Sequence, residues 1–113
     1  MPKEYKVYLN DILECIEKIE KYTKGVSYEK FAKSTLIEDA VIRNLEVIGE
    51  AVKKIPADVK REYSGIEWKK ISGLRDVLIH EYFGINLEIV WDIIVNKIPE
   101  LKVSIMKISE AIK

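Results

Sequence analysis

The chain has 113 residues and sets 19 lysines and arginines against 19 aspartates and glutamates, so net charge gives it no general pull toward nucleic acid or membranes; such affinity would need a local patch. This length suits one domain that buries most of its apolar surface without covalent staples. The single cysteine, Cys15, excludes an internal disulfide and a cysteine-rich metal site and fits a reducing cytoplasm, while the lack of an apolar leader or a membrane-length apolar run leads us to expect a soluble intracellular protein with no membrane partner.

In chain order, Tyr5, Tyr8, Leu9, Ile12, Leu13, Ile16 and Ile19 recur at steps of three and four, which predicts an amphipathic helix from Tyr5 to Tyr22. Cys15 falls within this pattern and reads as a buried structural thiol. Thr23-Lys24-Gly25-Val26 ends the helix, and Ser27 is the expected N-cap for a new one starting at Tyr28. The spacing from Tyr28 to Lys54 carries Phe31, Leu36, Ile37, Ala40, Val41, Leu45, Ile48, Ala51 and Val52, a long second helix with a possible break at Ser34-Thr35. Pro56 closes it by removing an N–H and disfavouring a helical Ile55. Residues 57–63 allow a turn or two of helix before Ser64-Gly65, and a central helix runs from Trp68 to about Phe83, stopped by Gly84. Asn86 caps a helix from Leu87 to Lys97 with Leu87, Val90, Trp91, Ile94 and Val95 inward. Pro99 opens the last, which reaches Ile112 through Leu101, Val103, Ile105, Met106 and Ile108. With no period-two alternation, the fold class is all-α: an up-and-down four-helix bundle with one or two additional short helices.

The central helix concentrates the chemistry. It holds the sole histidine, His80, one of three arginines, Arg75, and is followed by Tyr82. Asp76 and His80 stand at i and i+4, on one helical face. A lone histidine is ordinarily a surface or satisfied core residue, and Arg75 could equally be an ion-pair partner for Asp76, Glu46 or Glu50. Arginine is a scarce choice in a chain with 16 lysines, however, and its planar fork suits phosphate as lysine's point charge does not. An imidazole that titrates near neutrality can move protons, and a guanidinium can stabilise charge developing on a phosphate. The two are minimum equipment for metal-independent RNA cleavage by the ribose 2′-OH. One histidine cannot easily be both base and acid, so a dimer pairing two copies of the helix would complete the site. Glu46 and Glu50 lack the histidines of a di-iron bundle, the glycines are isolated, and neither a metal site nor nucleoside-triphosphate hydrolysis is expected.

Arg75-Asp76-Val77-Leu78-Ile79-His80-Glu81-Tyr82 resembles the Arg-x-x-x-x-His-x-Tyr signature of HepT-like proteins of the HEPN superfamily. The likeness extends to Ala40–Ala51, similar to that family's second-helix signature, to Ile66–Arg75, which leads into the motif, and to Trp91 followed by Ile98-Pro99-Glu100-Leu101. The resemblance implies a single HEPN-like helical domain over residues 1–113, and the toxin of a type II toxin–antitoxin pair: a cytoplasmic ribonuclease, without cofactor, whose composite site forms at a homodimer interface. It places Arg75 and His80 as the catalytic pair and Asp76 as the supporting polar residue. Tyr82 matches the tyrosine that, in members paired with a minimal nucleotidyltransferase antitoxin, receives AMP from ATP and so loses toxicity. A packing role for Tyr82 stays open, as does the alternative that the chain is a noncatalytic HEPN module that binds nucleotide or serves a nucleotidyltransferase as partner subunit.

Overall fold

The computed structural model describes residues 4–80 and 86–112, without the side chains at positions 75, 77, 79 and 80. The described residues are all-α: α1 (Lys6–Thr23), α2 (Tyr28–Lys33), α3 (Thr35–Lys53), α4 (Ala57–Glu62), α5 (Trp68–His80), α6 (Leu87–Asp92), a π-helical turn (Ile93–Lys97) and α7 (Ile98–Ala111). Four principal rods result, namely α1, α3, α5 and the continuous run from α6 through the π turn into α7, with α2 and α4 as short additions. This is the expected HEPN-like helical fold.

Local chemistry sets the boundaries. At the end of α1, Thr23 donates its hydroxyl to the Ile19 carbonyl at 2.8 Å, and Gly25, at φ +71°, takes the left-handed conformation that turns the chain away. Ser27 then caps α2 by accepting from the Lys30 amide at 3.2 Å. Ser34 is the break foreseen within the second helical segment: its amide donates to the Phe31 carbonyl as α2 ends, and its hydroxyl oxygen accepts from the Ile37 amide as α3 begins. Asn86 caps α6 as expected, accepting from Glu88 and Ile89 at 2.9 and 3.3 Å. Each such cap is worth about 1 kcal/mol.

The core lies where α3 meets its neighbours. Leu9, Ile12, Ile16 and Ile19 of α1, Val41, Leu45, Ile48 and Val52 of α3, and Ile105 and Ile108 of α7 are all fully buried, each contributing roughly 1.5–3 kcal/mol of apolar burial. α3 packs against α1 and also against α5, which is why its buried face is wide enough to include Asn44, Gly49 and Ala51. Asn44 is satisfied there, donating Nδ2 to the Ala40 carbonyl at 2.8 Å. Trp91 of α6 lies against Phe31, with ring centroids 5.2 Å apart, and edge-on to Tyr28, so the aromatic residues of α2 seat the C-terminal rod. Lys102 pairs with Glu20 at 2.9 Å, tying α7 to α1.

Several apolar residues of the sequence pattern face outward instead. Leu36 is 81% exposed, because it sits in the first turn of α3, beside the Ser34 cap. Val103 and Met106 are exposed because the inward stripe of α7 is Ile98, Leu101, Ile105 and Ile108; Val103, two residues from both Leu101 and Ile105, falls opposite at about 100° per residue. Val95 is exposed too, since in the π turn the inward positions are Ile94 and then Ile98. The expected break between residues 97 and 99 is absent: Pro99 occupies the start of α7 without interrupting the rod, as proline in a first helical turn can. Among the described residues no helix is long and apolar enough to cross a membrane.

Candidate functional site

The site is built on α5, and α5 is set by its entry. Tyr63 ends α4, and its carbonyl accepts from the Ile66 amide at 3.2 Å and from the Trp68 indole at 3.0 Å. The buried Trp68 side chain therefore fixes the chain direction one residue into the helix. Glu67 stands at the helix start, where a carboxylate is favoured by the exposed amides. It takes a 2.9 Å bond from Lys70 and lies 3.9 Å from Lys97. The Lys70 hydrogen bond, then the charge of Lys70 and that of Lys97, hold the Glu67 carboxyl below its ordinary range, and the same pairing pushes the Lys70 ammonium up.

Further along, Leu78 is buried and holds α5 to the bundle. Asp76 points to the surface and meets Lys53, the last residue of α3, with Nζ 3.7 Å from Oδ1. The backbone of α5 places Arg75 beside Asp76 and places His80 one turn beyond it, about 7.5 Å of helix rise from Arg75. The side chains of Arg75 and His80, and the whole of Tyr82 and Gly84, lie outside the described residues. The structure thus brings the helical positions of Arg75, Asp76 and His80 together on α5 and adds Lys53 from α3, which sequence reasoning did not single out. Nothing in the pattern marks Lys53: its partner is 23 positions away, and it is one of 16 lysines.

Two other features bear on the chemistry. A half-open cavity of about 360 Å³ lies between α5, α3 and the C-terminal rod, with Ile48, Ile71, Leu74, Ile93 and Leu101 on its walls and Lys70 at its edge. Its described lining stops at Leu74, so it adjoins the start of α5 rather than the Asp76 face. Cys15 is buried, and that burial, followed by its acidic neighbours Asp11 and Glu14, pushes the thiol pKa up. This is the reverse of what a nucleophile needs. Among the described residues no three histidine, cysteine, aspartate or glutamate side chains converge as a metal site would require.

Comparison with known proteins gives one consistent result. The ribonuclease HepT-like family matches residues 12–108. A Methanocaldococcus jannaschii protein named "Putative RNase" is 47% identical over the whole of this chain and 92% of its own length. A Thermococcus cleftensis protein named "Probable ribonuclease HepT" is 44% identical over 90% of this chain and 93% of its own. In a second M. jannaschii protein, named "Gamma-glutamylcyclotransferase and putative RNase", the likeness is 46% over 97% of this chain, which spans only 50% of that relative. No solved structure matches the chain.

Proposed function

The chain belongs to the ribonuclease HepT-like family, and on that premise we propose that it is a metal-independent RNA endonuclease, the toxin of a type II toxin–antitoxin pair. The observation that carries this reading is the placement of Arg75, Asp76 and His80 within two turns of one helix, in a chain that matches the family across that helix. His80 accepts the proton of a ribose 2′-OH as its oxygen attacks the adjacent phosphorus, and Arg75 stabilises the charge that builds on the non-bridging oxygens. The P–O5′ bond breaks, leaving a 2′,3′-cyclic phosphate, and the departing 5′-oxygen takes a proton from the partner subunit's His80. One histidine per chain and protons moved at two oxygens make a homodimer, with the two α5 edges facing a shared cleft, the simplest complete site. Asp76 supports the arginine's polar surroundings. Tyr82 receives AMP from a nucleotidyltransferase antitoxin, and the adduct silences the toxin.

Incubating purified chain with RNA in EDTA tests the reading. Cleavage should proceed and yield 2′,3′-cyclic phosphate ends, and a 2′-deoxy substitution at the scissile ribose should block it. His80→Ala and Arg75→Ala should each lower the rate by about 10²–10⁴-fold while leaving the helical content unchanged. Activity lost in EDTA and restored by magnesium would overturn the mechanism. RNA left intact under all conditions, with nucleotide or a nucleotidyltransferase bound, would replace it with the noncatalytic reading. Light scattering should give a dimer at micromolar concentration.

A further inference from the structure

A chain whose charges balance can hold a polyanion only through a local patch, and the described residues contain one beside the start of α5. Lys60 and Arg61 of α4, Ser64 of the turn, and Lys69 and Lys70 of α5 line a wide, shallow groove of about 650 Å³. The acid of that lining, Glu67, takes a 2.9 Å bond from Lys70 and lies 3.9 Å from Lys97. Among the described residues no carboxylate stands within ion-pair range of Lys60, Arg61 or Lys69. Three cations therefore line the groove without a counter-charge.

The short helix α4 is divided by charge. Burial first, then the charges of Tyr63, Glu62 and Asp58, push the Tyr5 phenol pKa up, so the two acids of α4 lie on the side of α1. Lys60 falls about 180° from the midpoint of those acids, and Arg61 joins it on the groove. The register of α5 carries the groove on toward the candidate site. Lys69, Asp76 and His80 follow one another at steps of seven and four, which sets their helical positions within about 40° of one line. Ser72 and Gly73 stand between, and a Cβ added at Gly73 would meet nothing within 4 Å, so small residues border an open track. Lys69 and His80 are separated by about 16 Å of helix rise, a span for a short run of nucleotides rather than for one.

Resting on the ribonuclease reading above, we propose that the α4–α5 groove is an RNA-binding subsite: Lys60, Arg61 and Lys69 take the sugar–phosphate backbone to one side of the scissile bond, and α5 leads the strand to His80. The occupant is RNA rather than an acidic protein because the groove continues along the helical face that His80 shares. The subsite works through charge, so its contribution falls with salt and carries no sequence preference.

Fluorescence anisotropy with a long oligoribonucleotide methylated at every 2′-oxygen reads affinity with no cleavage intervening. The triple variant Lys60→Gln, Arg61→Gln, Lys69→Gln should keep its helical content and bind about 10²-fold more weakly at about 0.1 M salt. Its slope of log affinity against log salt should be shallower by about 2, since each phosphate contact on a single strand contributes about 0.7. Lys18→Gln, Lys21→Gln, Lys24→Gln removes the same charge near the end of α1 and should bind within about twofold of the parent, because salt screens distant charges. On cleavable RNA, kcat/KM of the parent should rise with length from a dinucleotide upward; that of the groove variant should not, and both proteins should cleave the dinucleotide alike. Affinity of the groove variant equal to the parent's, or an equal loss in the α1 variant, overturns the proposal. Unchanged RNA affinity together with weakened binding of a neutralising protein would overturn it in favour of an acidic partner. A parent that cleaves the dinucleotide yet gains nothing from length removes the subsite and leaves the ribonuclease reading standing, whereas a parent that neither binds nor cleaves RNA overturns both.

Discussion

Trp68 donates its indole N–H to the main-chain carbonyl of Tyr63 at 3.0 Å, across the turn that separates α4 from α5. The bond is made by a residue 7% exposed, so it joins the orientation of the candidate site helix to the packing of the core. Trp68→Phe preserves most of the buried area and removes the donor, and because the Tyr63 carbonyl keeps its bond from Ile66, the loss should be about 1 kcal/mol. Trp68→Ala adds a cavity and should cost about 3–5 kcal/mol. Urea unfolding followed by the fluorescence of Trp91 measures both, and an unchanged denaturant slope would show that only native stability has moved.

Arg75 offers a sharper test than truncation. Arg75→Lys keeps the positive charge and removes the two-pronged donor, so a site that clamps phosphate oxygens should lose about 10²–10³-fold in kcat, as when one transition-state donor is deleted. A site that needs only charge would keep its rate. Single-turnover cleavage at saturating enzyme separates the two, since it reads the chemical step without product release.

Tyr82 carries the regulatory expectation. Tyr82→Phe retains the ring and deletes the acceptor oxygen, so the variant should remain folded and toxic and escape neutralisation by a cognate nucleotidyltransferase. The parent, co-expressed with that enzyme, should gain the mass of one or more AMP groups. Intact mass spectrometry checks this, and a Tyr82→Phe variant neutralised as well as the parent would make Tyr82 a packing residue and point to inhibition by simple complex formation.

Cys15 gives a prediction about pH. Its folded pKa is raised above the ordinary 9.0, chiefly by burial, so above that value the unfolded chain releases a proton that the folded chain retains. Stability from this group is therefore complete below pH 9 and declines as pH climbs past it. Cys15→Ala should flatten that alkaline decline. In the parent, a water-soluble disulfide reagent at pH 8 should react at the rate of global opening, which rises steeply in urea.

Much of the fold was readable because caps and periodicity are local. Ser27, Ser34 and Asn86 each sit before an apolar run and each makes the amide bond their position predicts. The π turn is not legible in the sequence: Val90, Ile94 and Ile98 are buried at two successive steps of four, but so are Asn44, Ile48 and Val52 of the regular α3, and such a spacing belongs to any wide apolar stripe. At the candidate site, the common helix of Arg75, Asp76 and His80 was legible because the three stand in one short motif. Lys53 was not, because its partner is set by the way α3 docks on α5, a tertiary relation that no window of sequence contains.

The wide π turn also makes the C-terminal rod a coupling between two separately indexed parts. α6 is indexed to α2 through Trp91 against Phe31, whereas α7 is indexed to α1 through Lys102 and Glu20. Removing a single residue from Ile93–Lys97 would let the wide turn close as an ordinary α turn with both parts still in phase, whereas adding one would rotate one part against the other by about 100° and move them about 1.5 Å apart. The chain could then seat Trp91 or seat Leu101 and Ile105, but not both. The reading frame of the rod, set at Ile93–Lys97, thus decides whether the two ends of the bundle close at once.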